Sequence, residues 1–358
     1  MKRTVILQIS LTPYRSIVFN ELAKDHQMEF RVLYANKVEP HRKWIIEGLS
    51  HDHAFLKKQY FRFRNHNIYF SLDVLCHLWR YKPDVIMTYG FNPVMLLAWC
   101  YSVMFRKKHI VLTDSWLLTI EHLSRFHKLC RRVVFRFSER FLAVGKKGID
   151  YLVSYGVESD KIYVSQLIAD NDYYAQFKDT PKKYDFVFSG QFIERKMPFF
   201  IIDVLKEIKM VRPQTSILLI GSGELEKFVI SALEEAGIAY TYPGFIQQSD
   251  LPSYYAAARL LLFPTMHDCW GLVANEASAV GVPVITCDNA GAAGDLIVDG
   301  YNGYVLPLEV DVWAKKIMDV LNDEELYRVL SDNALKSVDR FTPQIAAMGI
   351  VDAIDSIK

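Results

Sequence analysis

The sequence predicts an α/β protein of two domains, each built around a doubly wound parallel sheet. With 358 residues, the chain is too long for a single hydrophobic core. Short β-branched runs alternate with amphipathic helical patterns along its length, which is typical of parallel βαβ units. The composition agrees, because 51% apolar and 23% charged residues are typical of a globular protein and argue against disorder.

Ten candidate strands set the organisation of the chain. They are Thr4–Ile9, Phe30–Tyr34, Asp84–Thr88, His109–Thr113, Phe141–Val144, Asp185–Ser189, Ile217–Ile220, Ala239–Tyr242, Leu260–Phe263 and Val284–Cys287. A polar stretch with one proline, near residues 170–183, separates the first five from the last five. We therefore expect an N-terminal domain over residues 1–172 and a second domain over 173–341. A final helix over 342–358 starts at a Thr-Pro pair and is a candidate to pack back on the first domain.

Charge is distributed unevenly along a chain whose formal net charge is only +1. Residues 1–170 contain 26 Lys and Arg against 15 Asp and Glu, so this part is basic and the remainder is acidic. The asymmetry indicates an anionic surface or ligand for the N-terminal domain. Scattered surface lysines would give the same count, and the sequence leaves that alternative open.

Cysteine and histidine patterns argue against several function classes. The five cysteines are far apart and form no CxxC pair, which is typical neither of a disulfide framework nor of a zinc site and fits a reducing compartment. His51 and His53 lack metal-ligand spacing and no HExxH is present, so we predict no metal. The N-terminal run reads as a strand rather than a signal peptide. The longest apolar run, Val94–Phe105, is shorter than the ~20 residues of a membrane-spanning helix. We expect a cytoplasmic protein.

The most informative segment is FPTMHDCWGLVANEASAVGVPVITC, residues 263–287. It predicts a strand end, a loop, a helix beginning near Gly271 and a second strand. Gly271 would let backbone N–H groups approach a ligand closely, and the helix dipole favours an anion there. Asp268 before the helix and Glu276 inside it would then suit hydroxyl-rich groups on either side of a pyrophosphate. The alternative is that Asp268 caps the helix and Glu276 is a solvated helix residue.

This segment resembles the acidic E-x7-E motif of retaining GT-B glycosyltransferases of family 4 (glycosyl transferases group 1). The most similar branch is written D-x-W-G-L-V-x-N-E-A. It is matched by Asp268, Trp270, Gly271, Leu272, Val273, Asn275, Glu276 and Ala277. The resemblance implies two Rossmann-like domains facing a cleft. It also implies that Asp268 contacts the donor sugar, that Glu276 binds the ribose, and that the backbone of 271–273 holds the phosphates. Asp in place of Glu at 268 is a departure that would affect donor choice.

Further segments match the family in order. SGQFIERKMPFFIIDVL resembles the G-R-x-x-x-x-K-G region, with Gly190, Arg195 and Lys196 at its core and Met197 where the family usually has Gly. Two adjacent cations before a helix suit a departing pyrophosphate. Alternatively, they are exposed cations at a helix start.

Two weaker matches complete the expected donor site. Gly221 and Gly223 form a turn similar to the family's G-x-G turn, and the missing third glycine argues against a dinucleotide fingerprint. The segment PGFIQQSDLPSYYAAARLLLFPT resembles the family's base-binding loop and the helix that follows, which implies that the backbone around Phe245 and Ile246 reads the nucleobase.

The N-terminal half resembles the family only in its opening, SLTPYRSIVFNEL, and in its βα rhythm. The resemblance implies that this half carries the acceptor site. Arg15, after the first strand, is a candidate phosphate contact, and Asp114, after a later strand, is a candidate polar group near the transferred sugar. The alternatives are a surface position for Arg15 and a helix cap for Asp114.

Residues 121–140 predict a basic amphipathic helix. The apolar side chains on one face are Phe126, Leu129, Val133 and Phe137, and the cations beside them are Arg125, Lys128, Arg132 and Arg136. Such a helix can lie on an anionic membrane surface. Equally, its apolar face can pack on the sheet while the cations are solvated.

Together these observations predict a retaining, metal-independent glycosyltransferase without a cofactor. It would transfer a hexosyl or N-acetylhexosaminyl group from a nucleoside-diphosphate sugar to a hydroxyl of a glycan or lipid-linked precursor in cell-surface polysaccharide biosynthesis. Arg195, Lys196, Asp268 and Glu276 would carry the reaction. We expect no nucleic-acid partner, and the inner face of the cell membrane is a candidate location. A nucleotide-sugar epimerase and a non-catalytic nucleotide-sugar-binding protein remain the alternatives.

Overall fold

The computed structural model describes residues 2–25, 28–37, 43–57, 60–63 and 66–357. The chain forms two compact units, Met1–Leu167 with Pro343–Lys358, and Ile168–Thr342. The division lies a few residues before the boundary expected at 172/173, and the C-terminal helix groups with the first unit. None of the helices in the described ranges combines the length and the apolar character needed to cross a membrane.

The first unit is built on a parallel sheet. Its strands are β1 (Arg3–Ser10), β2 (Glu29–Asn36), β3 (His53–Phe55), β4 (Tyr60–Phe63), β5 (His66–Tyr69), β6 (Val85–Tyr89), β7 (Lys108–Thr113), β8 (Arg140–Ala143) and β9 (Ile162–Val164). Seven of these pair in the order β3-β2-β1-β6-β7-β8-β9, and β4 pairs with β5 as a separate antiparallel ribbon. Because the chain builds outward from β1 and then reverses at β6, the sheet is doubly wound.

Helices cover this sheet and bury its apolar strands. They are α1 (Pro13–Leu22), α2 (Asp73–Tyr81), α3 (Pro93–Met104), α4 (Arg125–Arg136) and α5 (Lys146–Ser154). Val5 and Leu7 of β1 share one core cluster with Val74 of α2 and Val94 of α3. The near-continuous apolar run of β1 is what a strand covered on both faces requires.

The second unit repeats the plan. Its strands are β10 (Tyr184–Ser189), β11 (Ser216–Ile220), β12 (Ala239–Gly244), β13 (Ala258–Phe263), β14 (Val284–Thr286) and β15 (Gly303–Val305). Its helices are α6 (Asn171–Ala175), α7 (Pro198–Val211), α8 (Glu226–Glu235), α9 (Leu251–Ala256), α10 (Leu272–Ala279), α11 (Val310–Asn322) and α12 (Glu324–Ser337). The sheet is parallel throughout, in the order β12-β11-β10-β13-β14-β15, so its order reverses between β10 and β13.

The predicted fold class is confirmed in both units. Each of the ten candidate strands overlaps an observed strand. The strands absent from the prediction, β3, β9, β15 and the β4–β5 pair, have only three or four residues each, too few to show a periodic pattern. The residues before β15 form a turn, in which Gly300 has a φ of +71°.

The last helix, α13 (Pro343–Asp355), packs against β8, β9 and α1 of the first unit. At its carboxyl end, the Lys2 ammonium donates to the carbonyl of Ile354 at 2.9 Å, and the Arg140 guanidinium donates to the carbonyl of Ser356 at 2.8 Å. Both cations therefore bind carbonyl groups at or just beyond the carboxyl end of the helix, where a positive charge is favourable.

Gly349 allows α13 to lie close to β9. A Cβ at this position would lie 1.8 Å from the carbonyl oxygen of Val164. We expect Gly349→Ala to lower the free energy of unfolding by about 1–3 kcal/mol, measured by urea denaturation, because the added methyl group forces the helix outward. Met348→Ala, at the adjacent exposed position, is the control. Helix propensity alone would favour alanine by about 1 kcal/mol, so a stabilised Gly349→Ala protein would contradict the close packing.

Candidate active site

The predicted donor-site residues of the second unit follow the carboxyl ends of its strands. The loop after β10 carries Gly190, Arg195 and Lys196, and the loop after β13 carries Asp268. These two strands are the neighbours at which the strand order reverses. Doubly wound sheets bind ligands beside this switch point, so the fold places the two loops where a ligand is expected.

Glycines allow close contact between the loop after β10 and the loop after β11. Gly190 and Gly221 have φ values of +152° and +128°, and a Cβ on Gly221 would lie 1.8 Å from the carbonyl oxygen of Gly190. A Cβ on Gly223 would lie 2.4 Å from the carbonyl oxygen of Phe192. Only glycine fits such contacts between two backbones.

Arg195 and Lys196 lie on a short 3-10 helix, Glu194–Lys196, that ends at Met197. Met197 has a φ of +50°, so it takes the left-handed conformation that the glycine usual in the family would adopt without strain. The carbonyl of Arg195 accepts hydrogen bonds from the N–H of Met266 at 2.9 Å and from the hydroxyl of Thr265 at 3.1 Å. The loop after β13 therefore fixes the position of the two cations.

Asp268 is shared by the two cations. Its Oδ2 lies 3.2 Å from Nη1 of Arg195 and contacts Nζ of Lys196 directly. The side chains of Lys196 and Asp268 are each only 13% exposed. Burial alone would raise the pKa of Asp268, but the Lys196 ammonium and the Arg195 guanidinium outweigh it and hold the pKa below its usual value. Two cations and one carboxylate leave a net charge of +1, so the cluster attracts an anion.

The helix that follows begins where the sequence predicts. Gly271 is the N-cap of α10 with a φ of +99°, and a Cβ there would lie 2.3 Å from the ring of Phe263. Trp270 is buried against Phe341, with 5.6 Å between ring centroids, and fixes the entry into the helix. Leu272 and Val273 form the first turn of α10, whose N–H groups have no partner within the helix.

Glu276 is buried one turn inside α10, with 4% of its surface exposed, so it is not a solvated helix residue. Its Oε2 accepts a hydrogen bond from the hydroxyl of Tyr255 at 2.8 Å, and its Oε1 accepts one from Nε2 of Gln248 at 3.4 Å. Burial raises the pKa of Glu276 to about 7, although these hydrogen bonds oppose the shift.

Two buried polar atoms near Glu276 make no hydrogen bond of ordinary geometry with a described residue, although one of them, a tyrosine hydroxyl, is near enough to the Glu276 carboxylate to interact with it. They are the hydroxyl of Tyr174 and the Oε1 of Gln248. The pKa of Tyr174 is raised, first by burial and then by the neighbouring Glu276 carboxylate. A buried polar group without a partner is costly unless something else bonds to it. The surroundings of Glu276 are therefore suited to a ligand that carries hydroxyl groups.

Phe245 and Ile246 lie in the loop directly after β12, and both are partly exposed. This loop is joined to the glycine turn, since the N–H of Gly221 donates to the carbonyl of Gly244 at 2.9 Å. Gln248 of the same loop reaches Glu276, so the predicted base-binding loop is connected to the buried carboxylate.

In the first unit, the structure brings Arg15 and Asp114 together through Tyr89. The hydroxyl of Tyr89 donates to Oδ2 of Asp114 at 2.7 Å, and the Arg15 guanidinium lies 5.7 Å from the centre of the Tyr89 ring. Arg15 is fully buried, and its two Nη atoms donate to Ser165 and to the carbonyl of Gln166. Arg15 is thus not a surface residue: both Nη atoms donate within its own unit, and its buried Nε–H has no hydrogen-bond partner among the described residues. Arg15 and Asp114 both remain candidate acceptor-side residues.

Comparison with known proteins finds a family match in the second unit. Residues 171–337 match the family model described as "Glycosyl transferases group 1". A domain of this family, predicted from the motifs of the C-terminal half, is therefore confirmed.

Curated relatives resemble part of the chain. The chain is 27% identical over 199 residues to a capsular polysaccharide biosynthesis glycosyltransferase, CapM, of Staphylococcus aureus, covering 54% of this chain and 50% of the relative. It is 26% identical over 199 residues to the O-antigen chain mannosyltransferase B of Escherichia coli, covering 51% of each chain. The chain thus spans about half the length of the curated relatives it matches.

Solved structures resemble the whole chain. HepE of Anabaena, in complex with UDP and glucose, has a TM-score of 0.78 at 16% identity over 100% of both chains. Sucrose-phosphate synthase of Thermosynechococcus elongatus has a TM-score of 0.77 at 17% identity over 100% of this chain and 99% of that one. The predicted GT-B fold is therefore confirmed.

Proposed function

We propose that the protein is a retaining glycosyltransferase of family 4 that transfers a hexosyl or N-acetylhexosaminyl group from a nucleoside-diphosphate sugar to an acceptor hydroxyl. One observation carries the proposal. The cationic cluster of Arg195, Lys196 and Asp268 precedes the N-terminus of α10, and the buried Glu276 lies one turn inside the same helix. A nucleoside diphosphate likewise combines anionic phosphates with a hydroxyl-bearing ribose.

The donor would bind along α10. Its phosphates would accept hydrogen bonds from the N–H groups of 271–273 and from the two cations, and its ribose hydroxyls would bind Glu276 and the unsatisfied hydroxyl of Tyr174. When the phosphates engage Lys196, Asp268 would stay bound to Arg195 and orient the sugar from that position. The loop around Phe245 and Ile246 would contact the base with its backbone.

The reaction would need neither a metal nor a cofactor. As the bond between C1 of the sugar and the phosphate oxygen breaks, negative charge grows on the diphosphate, and Arg195 and Lys196 stabilise it as a divalent cation would. The acceptor hydroxyl forms a new bond to C1 on the same face, and its proton passes to the leaving phosphate oxygen. Retention by this front-face route fits the site, because Asp268 is held by two cations and Glu276 is held by Tyr255. Neither carboxylate is therefore disposed to attack C1.

The similar proteins indicate which donor and which class of acceptor to test first. The UDP in the HepE structure makes uracil the first base to test. The names of CapM and the O-antigen mannosyltransferase refer to capsular polysaccharide and O-antigen chains, which supports a glycan precursor as the acceptor. A lipid-linked form of that precursor, glycosylated at the cytoplasmic face of the membrane, is part of the proposal. Asp114, with Tyr89, would lie on the acceptor side.

A nucleotide panel tests the donor site. We expect one nucleoside diphosphate to raise the melting temperature of the protein, and the matching nucleotide sugar to be slowly hydrolysed with release of that diphosphate. Glu276→Ala and Lys196→Ala should each weaken the shift. Removing a charge-assisted hydrogen bond costs about 1.5–3 kcal/mol, or roughly 10- to 150-fold in affinity.

Lys206→Ala and Glu207→Ala are the matched controls, since both residues are exposed on α7. If no nucleotide binds at millimolar concentration, the donor site is refuted. Binding without any release of diphosphate, even with acceptor added, would favour a non-catalytic nucleotide-sugar-binding protein instead.

A further inference from the structure

The helix α4 has its apolar stripe on the outside. The side chains that face the core of the unit are Arg131, Val134 and Phe135. On the opposite side, Phe126 is 70% exposed and Leu129 is 56% exposed, and Val133 and Phe137 continue the same stripe. The interpretation in which this stripe packs on the sheet is therefore wrong.

Cations line one side of the stripe. They are Arg125, Lys128, Arg132 and Arg136, and α4 contains no Asp or Glu. Arg132 and Arg136 also line a groove of about 480 Å³ together with Lys161 and Glu158. Three cations against one carboxylate leave the groove with a net charge of +2.

The apolar surface continues onto the neighbouring helices α2 and α3. Phe137 contacts Trp99 of α3 with 6.3 Å between ring centroids, and Trp79 of α2 contacts Phe105 with 5.7 Å. Met104 at the end of α3 is 74% exposed, and α3 contains no charged residue. We call the stripe, its cations and this extension the apolar-basic face.

We propose that the apolar-basic face docks on an anionic phospholipid bilayer. An aromatic and aliphatic stripe beside a row of cations is the pattern of a helix that lies in the membrane interface. The apolar side chains would enter the boundary of the acyl chains, and Arg132 and Arg136 would contact lipid phosphates through the groove between them and Lys161. The basic character of residues 1–170 attracts the same surface over a longer range.

Docking on a bilayer goes beyond the proposed sugar transfer, because it needs neither donor nor acceptor. Co-sedimentation with vesicles therefore tests it directly. We expect binding to vesicles of phosphatidylglycerol mixed with phosphatidylcholine, weakened by salt, and little binding to phosphatidylcholine alone. Each cation near such a surface contributes about a fivefold gain in binding, so the double variant Arg132→Ser/Arg136→Ser should bind roughly 30-fold more weakly. Phe126→Ser/Leu129→Ser should abolish the binding that persists at high salt.

Lys227→Ser/Phe228→Ser is the matched control, since it removes one cation and one exposed phenylalanine from α8 of the second unit. Thermal unfolding and nucleotide binding of every variant, measured without vesicles, show that each is folded and test the donor site separately.

Two outcomes would overturn the proposal. One is that the wild-type protein does not bind anionic vesicles, or that the wild-type protein and all variants bind them with equal affinity. The other is a concentration-dependent dimer that Phe126→Ser/Leu129→Ser dissociates, in the absence of vesicle binding, which would assign the face to a second copy of the chain.

Discussion

Replacing Lys196 with alanine should lower kcat for sugar transfer by about 100- to 1000-fold, the effect typical of removing one preorganised group that stabilises transition-state charge. The substitution reduces the net charge of the cluster with Arg195 and Asp268 from +1 to zero. Because the charge on the leaving diphosphate grows as the bond breaks, the loss should fall on kcat more than on KM. Steady-state kinetics with the donor identified by the nucleotide panel provides the measurement.

The fold should survive this substitution, since Asp268 keeps its contact with Arg195 at 3.2 Å and is not left as an unpaired buried charge. Lys196→Arg preserves the charge but changes its geometry, so it should recover only part of the rate. Lys206→Ala on α7 is the control for loss of a lysine far from the cluster. A Lys196→Ala enzyme within a few-fold of the wild-type kcat would show that the ammonium does not act on the leaving group.

The parts of the candidate site that lie within one short stretch of sequence could be predicted. The loops after β10 and β13 were found because Arg195 and Lys196, and Asp268 and Gly271, each lie within one short motif directly after a recognisable strand. Their meeting at one point follows from the strand order alone, as both loops adjoin the switch point of a parallel sheet.

Contacts between segments that are distant in sequence could not be predicted from sequence patterns. Tyr255, Gln248 and Tyr174 surround Glu276, but they come from α9, the loop before it and the short α6, and no spacing connects them to α10. Their positions emerge only when the second unit folds, so the burial of Glu276 could not be predicted.

The exposed apolar stripe of α4 shows what helical periodicity in a sequence cannot predict. The spacing of Phe126, Leu129 and Val133 predicts an apolar face, but it does not say which face the sheet covers. In the structure, Val134 and Phe135 supply the buried side. Because α4 has apolar side chains on two of its faces, either face could pack on the sheet. The sequence pattern is the same in both cases, and only the packing of the folded unit distinguishes them.

Glu276→Gln should remove the contribution of the Glu276 carboxyl group to the pH dependence of the free energy of unfolding. The folded protein raises the pKa of Glu276 from 4.5 to about 7, so the folded state holds this proton more tightly than the unfolded state. Stability from this group is therefore fully present below about pH 4.5 and falls as the pH rises towards 7. At 1.36 kcal/mol per pKa unit, the loss reaches about 3 kcal/mol.

Denaturant unfolding of both proteins across this pH range gives the measurement. Near pH 4.5 the two should be similarly stable, because a protonated Glu276 is neutral like glutamine, and above about pH 7 the variant should be more stable by up to about 3 kcal/mol. Glu207→Gln, on the exposed side of α7, controls for the loss of one carboxylate. A difference between wild type and Glu276→Gln that stays constant with pH would show that Glu276 is ionised throughout.

The same pH dependence connects stability with the proposed donor site. If ribose hydroxyls bind Glu276, they donate to its charged form and lower its pKa in the complex. A saturating nucleotide should then reduce the contribution of Glu276 to the pH dependence of wild-type stability between about pH 4.5 and pH 7, so that the wild-type and Glu276→Gln profiles become more nearly parallel. An unchanged wild-type slope in the presence of bound nucleotide would place the ribose elsewhere and leave Glu276 with a structural role only.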